Sequence, residues 1–245
     1  MKNILKVILL ISLLAVLSCG KEESDVLYVG TNAEYPPFEY LDENGNVVGF
    51  DVELINEISK IIGKKIEIKD MTFDGLIPAL EAKTIDILIA GITATESRKK
   101  VINFSKPYFE SQQAIVVKED NNTITNFDSL NNTYTVGVVL GYVGDVALTE
   151  SKKVDKIERF NRTADTIVAL QNGKIDAAIM DHPIAVGYIK NNEGLKAIKT
   201  DLSIQELCIG FRKEDIKLLE DVNNALDTLK ENGKYDELVK KYFLY

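Results

Sequence analysis

Apolar positions along this chain switch between a period of two and a period of about 3.6, which are the marks of strand and helix. Val26–Thr31 reads as a strand and leads to the turn Tyr35-Pro36-Pro37-Phe38. Asp51–Ile62 carries apolar residues on one helical face and stops at Gly63, a residue type that ends helices. Ile66–Lys69 then predicts a strand, Asp74–Ala82 a helix with Pro78 in its first turns, Ile85–Ala90 a strand, and Ala114–Val117 another. A second series follows, with strands at Thr135–Val139 and Ile175–Asp181 and helices at Gly144–Lys152, Asp165–Gln171 and Pro183–Lys190. A strand around Glu206–Phe211 and two amphipathic helices, Asp215–Leu229 and Tyr235–Tyr242, close the chain. Strand and helix signals that alternate this regularly predict an α/β fold.

Part of the pattern occurs twice. Residues 79–91, ALEAKTIDILIAG, return at 169–181 as ALQNGKIDAAIMD, with Ala79/Ala169, Leu80/Leu170, Ile85/Ile175, Asp86/Asp176 and Ile89/Ile179 coinciding. Each copy reads as a helix end, a polar turn and a buried strand. The first runs into Gly91-Ile92-Thr93 and a helix start that carries Arg98, whereas the second ends on Asp181. Open α/β sheets bind ligands outside the carboxyl ends of their strands. Two such units would present a cation from one side and an anion from the other, a match for a small zwitterion. Apolar strands resemble one another, so the repeat by itself also admits coincidence.

Composition narrows the setting. Lys2 and Lys6 precede an apolar run, Val7–Leu17, of 11 residues. That falls short of the roughly 20 a spanning helix needs. Residues 1–18 have the layout of a signal peptide. Val16-Leu17-Ser18-Cys19 resembles a lipobox, which predicts lipidation of Cys19 and a tether over 19–25; an ordinary cut near Ser18 is the other reading. Removal of residues 1–18 leaves 27 basic and 38 acidic residues and a net charge of −11. Such a surface disfavours nucleic acid as a partner. The lipid would be the only membrane attachment. Cys208, within Leu207-Cys208-Ile209, would then be the one thiol left, a small buried hydrophobe.

The densest chemistry lies in Thr93-Ala94-Thr95-Glu96-Ser97-Arg98. Thr95 suits a helix N-cap, Gly91 permits close approach of backbone to a ligand, Thr93 offers a hydroxyl, and Arg98 a planar fork that fits a carboxylate. Beside Lys99 and Lys100, Arg98 is equally readable as a solvent-facing charge. Asp181 ends an apolar strand, where it could meet a cation or cap the following helix. Tyr35, Phe38 and Phe73 follow strands closely and could wall a ligand side chain or fill the core. Gly137, Gly141 and Gly144 do not have the dinucleotide-binding spacing. His182 is the single histidine, and neither a metal cluster nor a catalytic array is apparent. No cofactor, metal or catalytic residue is expected.

Gly30-Thr31-Asn32-Ala33-Glu34-Tyr35-Pro36-Pro37-Phe38-Glu39-Tyr40, Gly49-Phe50-Asp51-Val52, Phe73 to Leu80, Gly91 to Arg98 and Ile175 to Asp181 appear together and in order. With these motifs the chain resembles the substrate-binding proteins of polar amino-acid ABC transporters. The resemblance implies a two-lobed periplasmic-binding-protein fold of Venus-flytrap type with two crossover hinge strands, near Ser111–Gln113 and Leu202–Gln205. Lobe 1 would comprise 26–111 and 205–245, and lobe 2 would comprise 112–204. It further implies that Arg98 holds the ligand α-carboxylate and Asp181 the α-ammonium, with Gly91 and Thr93 assisting and Tyr35 and Phe73 as side-chain walls. Asn32, Glu39, Tyr142 and Gly144 complete the expected ligand set. Asn32 stands where many basic-amino-acid binders have Asp, and Tyr142 alters a turn that often reads Gly-Thr-Thr-Gly. The expected function is extracytoplasmic capture of a free polar L-amino acid, basic in first place with glutamine-like neutral polar ligands close behind, by a monomeric lipid-anchored protein that delivers it to ABC permease subunits. A dehydratase on the same fold, with Glu39 as its acid, and a ligand-sensing lipoprotein are the alternatives.

Overall fold

The computed structural model describes residues 25–202 and 204–243. The expected signal peptide, Cys19 and nearly all of the tether lie outside them. The chain runs β1 (Val26–Thr31), β2 (Glu34–Tyr35), β3 (Glu39–Leu41), β4 (Val47–Val48), α1 (Phe50–Ile62), β5 (Lys65–Asp70), α2 (Phe73–Glu81), β6 (Ile87–Leu88), α3 (Glu96–Lys99) and β7 (Asn103–Phe104). It continues with β8 (Phe109–Ser111), β9 (Gln113–Lys118), β10 (Thr135–Val139), α4 (Val143–Ser151), β11 (Lys156–Phe160), α5 (Thr163–Gln171), β12 (Ala177–Asp181), α6 (His182–Asn191) and β13 (Leu195–Lys199). The last elements are β14 (Gln205–Leu207), β15 (Gly210–Phe211), α7 (Ile216–Glu231) and α8 (Lys234–Phe243). Among the described residues no helix is long and apolar enough to cross a membrane.

Two five-stranded sheets form the centres of two lobes. Their orders are β5-β1-β6-β15-β7 and β11-β10-β12-β9-β13. In each, three strands run parallel and the chain then adds antiparallel neighbours. β15 comes from the far end of the chain, so the polypeptide leaves the first lobe, builds the second and returns. The outgoing β8 and the returning β14 pair antiparallel, Ser111 opposite Gln205. The expected two-lobed α/β fold with two crossover strands is the one observed.

The repeated sequence is a repeated structure. The Asp86 carboxylate accepts from the Tyr28 amide at 3.0 Å while the Asp86 amide donates to the Tyr28 carbonyl at 2.7 Å. Asp176 does the same with Thr135, at 2.7 and 2.8 Å. Helices α2 and α5, which precede the two aspartates, are both nine residues long. A methyl group on Gly30 would fall 2.3 Å from the Ile85 side chain, and one on Gly137 would fall 2.4 Å from Ile175. In both lobes the repeated isoleucine therefore fills the space that a glycine of the central strand leaves.

The hydrophobic pattern misses the short β2, β3, β4 and β7, which are too brief to show a period, and the longer β11 and β13. The last two are sheet edges, where charged residues interleave with apolar ones and blunt the signal. The strand expected at Ile85–Ala90 is regular only over Ile87–Leu88.

The first lobe is tied together by an aromatic cluster. Phe50 is fully buried, with ring centroids of Phe38 at 6.1 Å, Phe109 at 6.0 Å and Phe243 at 5.1 Å. These rings join α1, the β2–β4 flap, the crossover and the C-terminal helix. Truncation of a buried Phe costs about 3–5 kcal/mol. Phe50→Ala should lose that much stability in urea denaturation; a loss below about 1 kcal/mol would show that the cluster does not bind these elements together.

Candidate functional site

Both copies of the repeat deliver their last residue to one place. Gly91 follows β6 in the first lobe, and Asp181 ends β12 in the second. Between them lies a nearly closed cleft, with about 10 Å³ of free space, lined by Tyr35, Phe73, Ala90, Gly91, Thr93, Arg98, Tyr142, Val143 and Asp181. Wider hollows exist elsewhere, such as one of about 500 Å³ beside Pro36, Pro37 and Tyr188. That hollow does not set a cation and a carboxylate on facing walls.

Arg98 is placed by a short helical turn. Thr95 caps it, accepting from the Arg98 amide at 3.3 Å. The guanidinium donates to the Thr93 carbonyl of its own lobe at 3.0 Å and to the Gly141 carbonyl of the other lobe at 3.0 Å. It also stacks 5.2 Å from the centre of the Phe73 ring. Among the described residues it meets no carboxylate, and burial pushes its pKa down to about 10. Arg98 is thus neither solvent-facing nor neutralised.

Asp181 is 7% exposed. It accepts from the hydroxyl of Ser111 at 2.8 Å, from the amide of Gln113 at 2.6 Å, and from the Tyr35 hydroxyl across the lobe boundary. Burial raises its pKa, and these three donors oppose the rise. No cation reaches it among the described residues. It stands at the N-cap position of α6 without a side-chain capping bond, so the helix-cap reading does not describe it.

Aromatic rings from both lobes close the remaining sides. Tyr142, just before α4, lies edge-on to Phe73 at 4.6 Å and to Tyr35 at 5.5 Å. Its hydroxyl donates to the Asn32 side chain at 3.1 Å. Burial, followed by nearby carboxylates, drives the Tyr35 and Tyr142 phenols well above their ordinary pKa. Both remain protonated donors.

Three of the expected residues are not on the cleft wall. Asn32 sits behind Tyr142 with both ends of its amide engaged, the nitrogen by the Met71 carbonyl at 2.9 Å. Gly144 packs beneath, where an added methyl would meet Ile179 at 2.9 Å and Gln113 at 3.2 Å. Glu39 is fully buried in β3, with its carboxyl against Asp51. Conversely, Ser111 and Gln113 hold Asp181, and Asp51 accepts from the Gly91 amide at 3.1 Å. Gln113 was detectable in principle, as the one polar residue opening the apolar run Gln113–Val117; Asp51 looked like any acid in a first helical turn.

Gly91 adopts φ +55°, and a methyl there would lie 2.5 Å from the Tyr35 ring. Left-handed backbone and ring contact together require glycine at this wall.

Comparison with known proteins agrees with this geometry. Residues 27–245 match the model of the bacterial extracellular solute-binding proteins, family 3. The chain is 36% identical to the "Probable histidine-binding protein" of Neisseria gonorrhoeae, over 99% of this chain and 96% of that one. It is 37% identical to the arginine-binding extracellular protein ArtP of Bacillus subtilis, over 94% and 92%. An ancestral arginine-binding protein bound to arginine superposes with a TM-score of 0.85 at 41% identity, covering 89% of this chain and 98% of that one. A cleft between two lobes that opposes an unneutralised cation and carboxylate thus stands within a fold and sequence match along nearly the whole chain: the protein belongs to the bacterial extracellular solute-binding proteins, family 3.

Proposed function

We propose that the protein captures a free L-α-amino acid outside the cytoplasm, prefers a basic side chain, and hands it to the permease of an ABC transporter. One observation carries the reading. Arg98 and Asp181 face a single small cleft from different lobes, and neither has an opposite charge of its own. In this reading Arg98 takes the α-carboxylate, with amides of the first turn of α4 beside it, since helix starts leave N–H groups unbonded. Asp181 takes the α-ammonium. Thr93, Gly91, Tyr35 and Phe73 keep the roles expected of them, and Tyr142 forms a third aromatic wall.

The basic preference rests on charge and on aromatic faces. The cleft wall has no second cation for an acidic side chain to meet, and it offers the rings of Tyr35, Phe73 and Tyr142, which attract cations. Burial first, and the nearby carboxyl groups after it, raise the pKa of the Tyr142 hydroxyl, which therefore stays a protonated donor at this wall. Names of the relatives, histidine- and arginine-binding, fall in the same class. A dehydratase would need an acid facing the ligand, and Glu39, the nominee, is buried behind the wall. Lobe boundaries at 111/112 and 204/205, a lipid anchor on Cys19 and a monomeric protein complete the proposal.

Each charge-assisted hydrogen bond contributes about 1.5–3 kcal/mol. A few of them support roughly micromolar affinity, about −8 kcal/mol. Arg98→Ala should weaken binding of L-arginine by about 100-fold or more in calorimetry, because two charge-assisted bonds to the carboxylate are lost. The variant should keep its fold, since the guanidinium bonds only backbone carbonyls here. Unchanged affinity would remove the basis of the proposal. Tyr142→Thr should weaken L-arginine about 3- to 10-fold while changing L-glutamine less, as a lost cation–π face would. Equal effects on both ligands would exclude Tyr142 from selecting the side chain.

A further inference from the structure

Beneath the cleft lies a pair of acids that ligand capture does not use. Glu39 and Asp51 are both fully buried, one on β3 and one in the first turn of α1. Their carboxyl groups lie within hydrogen-bonding reach of each other. One Asp51 oxygen, Oδ2, accepts from the Gly91 amide at 3.1 Å and from the Tyr108 hydroxyl at 2.7 Å. The other, Oδ1, and both oxygens of Glu39 meet no N–H or side-chain hydroxyl donor among the described residues.

That geometry constrains the protons. An ionised carboxylate buried without donors is heavily penalised. Two carboxylates in contact cannot both ionise. A proton on Glu39 solves both problems, since the acid then donates to Asp51 and leaves Asp51 as the charged acceptor for Gly91 and Tyr108. We propose that Glu39 and Asp51 share one proton and act as a positioning pair, fixing the Gly91 turn and one negative charge under the cleft. The part about binding rests on the function proposed above; the shared proton does not.

The surroundings agree. Burial and the Asp51 charge raise Glu39 well above its ordinary pKa, while Asp51 is pushed up to about 6 by burial and held back by Tyr108, Glu39 and Gly91. The groups facing the pair are Asp70, Tyr108 and Tyr235, with Tyr35 and Tyr142 on the cleft side. None of them is a cation. Folding therefore takes up a proton that the unfolded chain has released at neutral pH, and stability falls as pH rises. Glu39→Gln has the same shape, can still donate to Asp51, and takes up no proton.

Infrared spectroscopy of the full chain in neutral D2O should show the C=O stretch of a buried neutral carboxylic acid, lost in Glu39→Gln. Urea denaturation between pH 6.5 and 8 should give the wild type a slope against pH steeper than that of Glu39→Gln by about one proton. No neutral-acid band in the wild type, or equal slopes, would overturn the shared proton; the band decides even if the variant fails to fold. For positioning, Glu39→Gln should bind L-arginine within about 3-fold of wild type at pH 7. Asp51→Asn should lose about 10-fold, since a charged acceptor at Gly91 becomes neutral. Equal losses would refute the positioning role. A wild-type protein that binds no amino acid would refute the function proposed above while leaving the infrared and pH results to decide the pair.

Discussion

A guanidinium and a carboxylate, placed on facing walls by separate lobes and denied any ionic partner, impose the central constraint on this molecule. Removing each ion from water costs several kcal/mol after relaxation. The fold offsets part of that with neutral dipoles: two backbone carbonyls for Arg98, and two hydroxyls and an amide for Asp181. Dipoles orient a charge without cancelling it. In the proposed function, a small molecule with a carboxylate at one end and an ammonium at the other would supply what the protein withholds. Because the two charges belong to different lobes, that demand would be met in full only with the lobes together. Recognition and closure would then be one equilibrium, biased by the ligand's differential contacts.

A duplicated unit explains how such opposed walls come about. Asp86 and Asp176 bind the start of the neighbouring strand in the same way, and Ile85 and Ile175 fill equivalent glycine gaps. The divergence that shapes the cleft falls at the last position. In one lobe it is a glycine that lets Tyr35 lie against the backbone; in the other it is an aspartate that accepts the hydroxyl of that same tyrosine. Tyr35 therefore touches the end of both repeats.

Much of this could be read before any coordinates existed, for physical reasons. Helices α1, α7 and α8 declare themselves by one apolar face each, and β10 by a buried run of β-branched residues, because burial there is one-sided or nearly complete. The edge strands β11 and β13 carry no such signal. At the site, residue type made Arg98 and Asp181 legible: a planar cation near a glycine turn and an acid after an apolar strand both break the local pattern. Glu39 and Gly144 lie close in sequence to the wall residues Tyr35 and Tyr142 but are placed off the wall, and that placement is a tertiary property. The pairing of Glu39 with Asp51 joins a flap strand to a helix start 12 residues later, which neither periodicity nor motif encodes.

Asp181 also links the cleft to the crossovers. Ser111 and Gln113, two of its donors, sit where the chain first passes between lobes, and the Gln113 carbonyl accepts from the amide of Thr200 at 3.0 Å and from its hydroxyl at 2.9 Å, beside the return passage. The Gln112 side chain donates back to the Thr200 carbonyl at 2.8 Å. Both passages are thus fastened together directly under the anionic wall. Ser111 and Gln113 stand on the outgoing passage itself, so their bonds to Asp181 are made beside the crossover. The Tyr35 hydroxyl comes from the first lobe, across the cleft. Asp181 accordingly has two donors at the crossover and one from the opposite wall, and in the proposed function the ammonium would compete with the last.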